Sequence, residues 1–305
     1  GDPRELHLSL RRQRQMCIRD RAVVVASGSI VDGTQPPGMI GGDSTAQLLR
    51  EAHEDEDVKA IVLRVDSGGG SAFASEVIRE EIVVAKSKDI KVIASMSNVA
   101  ASGGYWISAS ADEIWASHDT ITGSIGIFGF LPTFEKPLDK IGVHTDGVST
   151  TKIGAGIDPM QSLNPIIARV IQSNIEHGYQ RFIKLVAESR NMTLEEVDEI
   201  AQGRVWAGEM ALDIGLIDNL GNMEDAVKRA AELADLEDYK TFYPSLPLEW
   251  TDQILKQFFS KIKGIFKSRI GNKDLIKRSF ELLNDLETYN DPKGIYLKCL
   301  DCLVY

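Results

Sequence analysis

The chain is predicted to be an α/β protein whose strands pair largely in parallel and are joined by crossover helices. Three observations carry this. Residues 58–65 (VKAIVLRV) form a near-continuous apolar run, the pattern of a strand buried on both faces. That run leads through a glycine loop, Asp66-Ser67-Gly68-Gly69-Gly70-Ser71, into a helical pattern with apolar residues at Val77, Ile78, Ile82 and Ala85. The same unit then recurs: an apolar strand at residues 91–96 is followed at Ser102 by a helix over 103–111. Successive strand–turn–helix units return the chain to the same end of the sheet, so their strands run parallel.

The elements follow in order. Residues 22–27 (AVVVAS) read as a short strand, followed by a Gly/Pro-rich loop to Gly42 and a helix from Ser44, its N-cap, to His53. After the two units above come short strands at 114–116 and 122–127, a short helix at about 133–141, and a strand at 143–145. Beyond Asp158 the pattern is helical. Ile167, Val170, Ile171, Ile175, Phe182, Leu185 and Val186 form a stripe over 163–189, and Thr193 caps a further helix to Gln202. Residues 203–220 read as loop, short helix and short strand, and 223–234 as an amphipathic helix. Residues 22–236 are taken as one domain and 237–305 as a helical extension. Within that extension, 254–270 carries five basic residues and no acidic ones, with Phe258, Ile262, Ile265 and Phe266 on one face. Such a helix docks on its own protein or a neighbouring subunit, or lies on an anionic membrane surface.

Composition narrows the function. Across 305 residues, 43% are hydrophobic and 26% charged, enough for a packed core. The net charge of −11 argues against a nucleic-acid partner. No uninterrupted apolar run reaches the roughly 18 residues of a membrane span. Residues 1–21 are basic, polar and aperiodic over LSLRRQRQMCIRDR. They lack the apolar core of a signal peptide and resemble translated adaptor sequence, so they are set aside as a non-native or disordered leader, Cys17 included. Of the three cysteines, Cys299 and Cys302 are too few ligands for a structural zinc site. A disulfide or two free thiols remain.

The chemistry centres on Ser102. It stands where a strand turns into a helix, beside the unpaired N–H groups and positive dipole end of that helix. Ala-Ser-Gly-Gly is also a plain N-cap, and that reading stays open. The 66–71 loop lacks the Gly-Lys-Ser/Thr ending of a phosphate-binding loop. As an oxyanion site it would supply the Gly69 N–H, with the Gly103 N–H as second donor. A serine also needs a base. His7 lies in the excluded leader, and none of His53, His118, His144 and His177 sits in a signature tied to Ser102. His118, just after a strand, is the best placed of them. A lysine with a lowered pKa can serve instead, and Lys152 follows a hydroxyl-rich turn, Ser149-Thr150-Thr151. The plainer reading is a solvated loop lysine.

Three motifs in order, Asp66-Ser67-Gly68-Gly69-Gly70, Ala100-Ala101-Ser102-Gly103-Gly104-Tyr105 and Thr122-Gly123-Ser124-Ile125-Gly126, resemble the signal peptide peptidase A family. These are membrane-associated serine–lysine peptidases with the Clp-protease/crotonase-like fold. The resemblance spans residues 23–236. Asn290-Asp291-Pro292 and Cys299/Cys302 are similar to the C-terminus of its long, two-domain form. It implies Ser102 as nucleophile, Gly103 and Gly69 as oxyanion donors, and Ser124 as the serine that orients a lysine base. It also implies signal peptide remnants as substrates, a ring-like homo-oligomer, no metal or cofactor, and the periplasmic face of the inner membrane. Gly68 stands where the family usually has proline. In the long form the base comes from the N-terminal half, and this chain looks like the C-terminal half. Lys152 stands close to where single-domain members place theirs. A crotonase-type acyl-CoA enzyme and a non-catalytic assembly domain are the rival readings.

Overall fold

The computed structural model describes residues 20–151, 153, 158–236, 240–245, 289–292, 294–299 and 302. Lys152 and the basic stretch 254–270 lie outside the described residues. The first half contains β1 (Arg21–Ser27), β2 (Ile30–Val31), β3 (Ile40–Gly41), α1 (Gly42–Glu54), β4 (Ala60–Ser67), β5 (Gly69–Ser71), α2 (Ala72–Ser87), β6 (Lys91–Ala101), α3 (Gly103–Ala109), β7 (Glu113–Ala116), β8 (Ile121–Gly123), β9 (Phe128–Gly129) and α4 (Glu135–Lys140). The second contains α5 (Pro165–Arg190), α6 (Leu194–Ile200), β10 (Val205–Ala207), α7 (Gly208–Asp213), β11 (Asn219–Leu220), α8 (Met223–Leu233), β12 (Thr241–Phe242) and β13 (Ile295–Lys298).

The larger sheet runs β10-β8-β6-β4-β1-β12, with β7 beside β6 and β11 beside β7. Every pairing in it is parallel except β10 with β8. This is the predicted α/β class, and the strand period of two explains it. In β4, Ile61, Leu63 and Val65 join a core shared with Leu49 of α1, Ile78 of α2 and Ile107 of α3. Ala60 and Val62 point the other way, to Ala226 and Ala230 of α8. A smaller mixed sheet, β3-β2-β5-β13-β9, stands beside it.

Four expectations change. The folded body begins before the predicted boundary, because Arg21 opens β1 opposite Ala60 and Thr241 and is 1% exposed. Its guanidinium donates to the Val227 carbonyl and to Thr241 Oγ1. A basic residue that looked foreign thus satisfies buried acceptors between β1, α8 and β12. The region 237–305 is not simply a helical extension, since its described residues supply strands to both sheets. Helix α1 starts ahead of Ser44, whose Oγ accepts from the Gln35 N–H at 3.3 Å instead of capping. Residues 143–145 form no strand and are exposed, having no edge to pair with, and α4 buries none of its residues. Thr193 does cap α6, through a full capping box with Glu196.

Candidate active site

Strand β6 outruns its predicted end because its last residues gain a partner. Val99, Ala100 and Ala101 pair in parallel with Ile121, Thr122 and Gly123 of β8. Ser102 and Ser124 directly follow these strands, each after one residue of the last register pair, Ala101 and Gly123. Ser102 is 1% exposed, with φ 55° and ψ −114°. That conformation is disfavoured for a residue with a Cβ and is the kind of strain that collects at reactive turns. It is held by two backbone bonds: Ser102 N–H donates to the Gly123 carbonyl at 2.8 Å, and the Ser102 carbonyl accepts from Trp106 N–H at 2.8 Å. The side chain makes no capping bond to its helix. The plain N-cap reading therefore fails, and the hydroxyl remains available. Ser124 is 6% exposed at φ 49°, its N–H donating to the Arg204 carbonyl at 2.7 Å.

The two predicted oxyanion glycines meet. A Cβ on Gly103 would lie 3.1 Å from the Gly69 Cα, and one on Gly69 would lie 2.6 Å from the Gly103 nitrogen. As the first residue of α3, Gly103 has no intrahelical acceptor for its N–H. The Gly69 N–H donates to Ser67 Oγ at 3.0 Å, a contact that sequence reading missed. Only glycine fits here, because a Gly69 Cβ would sit 1.8 Å from the Leu297 carbonyl oxygen and a Gly70 Cβ 1.9 Å from that of Ile30. Strand β5 is squeezed between the backbones of β13 and β2. Its helix is capped by Ser71 Oγ, which accepts from Ala74 N–H at 3.1 Å and donates to Asp291 Oδ2 at 2.7 Å.

Helix α3 is fixed from outside by Glu76. Trp106 Nε1 and Arg79 Nε each donate to Glu76 Oε2 at 2.7 Å, and Arg181 donates to Oε1 at 2.9 Å. Burial, the largest single influence, would raise the Glu76 pKa, but the hydrogen bonds from Arg79 and Trp106 and the charges of Arg79 and Arg181 together outweigh it and hold the carboxyl below its ordinary range. Glu76 thus ties the helix after the glycine strand to the helix after Ser102.

Two cavities flank this turn. One, of about 520 Å³, is lined by Ser124, Gly126, Ile127, Phe128, Tyr179 and Lys298 among others. Burial and the neighbouring Asp198 push the Tyr179 phenol up to about 12, so it is a neutral donor to that carboxylate at 2.7 Å. The other, of about 340 Å³, is lined by residues that include Ser67, Gly68, Gly69, Cys299 and Cys302.

The base is not so placed. Lys152 lies outside the described residues, and its neighbours Thr151 and Ile153 are exposed. His118 is exposed in the turn before β8, whereas Ser102 is level with the far end of that strand. His53 is buried between α1 and α2, bonded to Glu81 at 2.8 Å and Lys88 at 2.9 Å. His144 and His177 are exposed. Among the described residues no cluster of three metal-ligating side chains occurs.

Sequence reading also missed β13, which lies between β5 and β9 and is antiparallel to both. The apolar, aromatic run Ile295-Tyr296-Leu297 suits a strand but is too short to mark one without its partners.

Comparisons with known proteins point to a peptidase. The model of peptidase family S49 matches residues 84–237. "Protease 4" of Salmonella typhi is 45% identical over 287 residues, which is 92% of this chain and 46% of that protein. "Protease 4" of Haemophilus influenzae is 43% identical over 289 residues, 92% of this chain and 47% of that protein. The chain thus spans about half the length of these curated relatives. Among solved structures, a point mutant of ClpP1 from Listeria monocytogenes aligns at 15% identity and a TM-score of 0.46, covering 70% of this chain and 98% of that one. With the family model matching half of its length and Ser102 set on a strained strand–helix turn, this chain belongs to the serine peptidases of family S49.

Proposed function

We propose that this chain hydrolyses extended apolar peptides, signal peptide remnants among them, with Ser102 as nucleophile and Lys152 as general base. The uncapped Ser102 hydroxyl, held at positive φ beside the Gly103 N–H, is the observation that carries the reading. Ser102 Oγ attacks the scissile carbonyl and gives its proton to neutral Lys152, with the Ser124 hydroxyl orienting the amine. Gly103 N–H receives the oxyanion, and Gly69 N–H joins it by exchanging Ser67 Oγ for that oxygen. The proton passes to the leaving amine as the C–N bond breaks, and water then releases the acyl group from Ser102. The chain acts in a homo-oligomer on the periplasmic face of the inner membrane. Membership of a peptidase family leaves the acyl-CoA reading without support.

Cleavage of a short apolar fluorogenic peptide tests the proposal. Ser102→Ala and Lys152→Met should each lower turnover by about 10³-fold or more. Full activity in Ser102→Ala would overturn the whole reading. If Lys152→Met stays active, or if an inactive chain gains Ser102-dependent cleavage only on adding the other half of a two-domain relative, the base lies outside this sequence.

A further inference from the structure

On the proposed peptidase reading, on which this inference rests, two N–H groups hold the oxyanion, and they are not equally ready. Gly103 N–H has no intrahelical acceptor. Gly69 N–H is engaged, because it donates to Ser67 Oγ at 3.0 Å. The carbonyl of the same peptide unit, that of Gly68, accepts from Cys299 N–H at 2.6 Å. In a trans peptide the carbonyl and the N–H point in opposite directions. The Gly68–Gly69 unit therefore shows an oxygen to the β13 side and turns its N–H toward Ser67, which is 2% exposed. Yet the space beside Gly103 is on the β13 side. A Cβ on Gly69 would lie 2.6 Å from the Gly103 nitrogen and 1.8 Å from the Leu297 carbonyl oxygen. An oxyanion placed there meets one donor and, from Gly68, a carbonyl oxygen.

The unit is built to turn. A peptide plane rotates between fixed Cα atoms when ψ of the first residue and φ of the second change together, and here both residues are glycine. Gly69 sits at φ +96°. Turning the plane over carries it to negative φ, which glycine adopts as readily. The residues on either side are anchored. Ser67 ends β4 opposite Ala100 of β6, and a Gly70 Cβ would meet the Ile30 carbonyl oxygen at 1.9 Å. Gly68 itself is uncrowded, since a Cβ there would find nothing nearer than Cys299 at 4.0 Å. The 340 Å³ cavity opens on Ser67, Gly68 and Gly69.

We propose that the Gly68–Gly69 peptide switches the oxyanion site on and off, and that Ser67 is the positioning residue that holds it off. In the resting chain both ends of the unit are satisfied, by Ser67 Oγ and Cys299 N–H. Turning over forfeits two neutral hydrogen bonds. A neutral substrate carbonyl repays them poorly, whereas an oxyanion accepts a stronger, charge-assisted bond. The second donor thus joins Gly103 as charge develops on the oxygen, which favours the transition state over bound substrate.

The test crystallises the full chain free and with a peptide boronic acid, whose boron bonds to Ser102 Oγ and whose oxygen stands in for the oxyanion. In the adduct the Gly69 nitrogen should lie within about 3.2 Å of that oxygen, with the Gly68 carbonyl turned away from Cys299. Ser67→Ala leaves the buried N–H unpaired in the off state alone, so it should tighten boronate binding by about fivefold. Ser67→Thr keeps the acceptor and should bind as the unsubstituted chain does. An adduct in which Gly69 N–H stays on Ser67 Oγ overturns the switch and leaves the peptidase reading standing. So does a free chain already turned toward Gly103. Equal or weaker boronate binding by a folded Ser67→Ala chain, the result of a merely structural hydroxyl, also overturns it. If Ser67→Ala does not fold, the two crystal structures decide alone. No adduct at Ser102, with or without the other half of a two-domain relative, overturns the peptidase reading and the switch with it.

Discussion

The turn at Ser102 and the stretch from residue 130 to 151, which leads up to Lys152, are supported in opposite ways. Ser102, Gly103, Gly104 and Tyr105 are all buried, and strands β6 and β8 hold the serine by register. In the other stretch α4 buries nothing, Ile141 is 73% exposed and Val148 fully so. The geometry of Ser102 is thus a property of the core, whereas the stretch leading to residue 151 has no core behind it. Ile141, Val143 and Val148 are exposed singly along this stretch.

Substitutions can break or sharpen this contrast. Gly69→Ala should have the largest effect, costing about 3 kcal/mol in urea unfolding, because its φ is +96° and the new methyl meets the Leu297 carbonyl. A near-neutral result would mean that β13 yields readily at that point. Ser102→Gly should act in the other direction. Relief of the positive φ is expected to stabilise the fold by about 1 kcal/mol while removing the nucleophile, visible as a raised Tm in an inactive protein. An unchanged Tm would show the turn to be unstrained.

The Glu76 clamp gives a pH signature. Its folded pKa is depressed, so its contribution is complete above its ordinary value of 4.5 and is lost as the pH falls through the lower folded value. Glu76→Gln should flatten the acid side of the stability profile below pH 4.5, as read by urea midpoints across pH. The smallest effect belongs to the exposed stretch: Val148→Ser should change stability by no more than about 0.5 kcal/mol. A larger loss would place Val148 in an interface and narrow the contrast.

Much of this contrast was legible in the residues. The buried run of β4 and the strand-to-helix turn at Ser102 are local patterns, and local patterns fix local structure; the glycine stretch read as a loop, and its residues Gly69–Ser71 form strand β5 only with β2 and β13 as partners. The capping box at Thr193 and Glu196 is equally self-contained. What escaped is what depends on distant partners. Ile295-Tyr296-Leu297-Lys298 is too short to declare itself a strand and becomes one only between β5 and β9. Arg21 looked like the end of a foreign basic run until Val227 and Thr241 supplied its acceptors. Val143-His144-Thr145 had a strand's composition and no neighbour to pair with. The Ser67 hydroxyl, which holds the Gly69 N–H, gave no sign beyond its place in the loop.

The link from Ser71 to Asp291 spans 220 residues of sequence. Strands β6 and β8, which end just before Ser102 and Ser124, are far closer together along the chain. Closing the longer loop is the slower event, so a refolding molecule is expected to assemble its reactive turn before β13 docks beside β5. During that interval the glycine edge is open to any extended chain. On the proposed peptidase reading, a foreign apolar peptide and the molecule's own strand then compete for that edge of β5. Stopped-flow refolding of Ser102→Ala should show a late phase that slows as peptide is added. A late phase indifferent to peptide would mean that β13 docks before the edge can be shared.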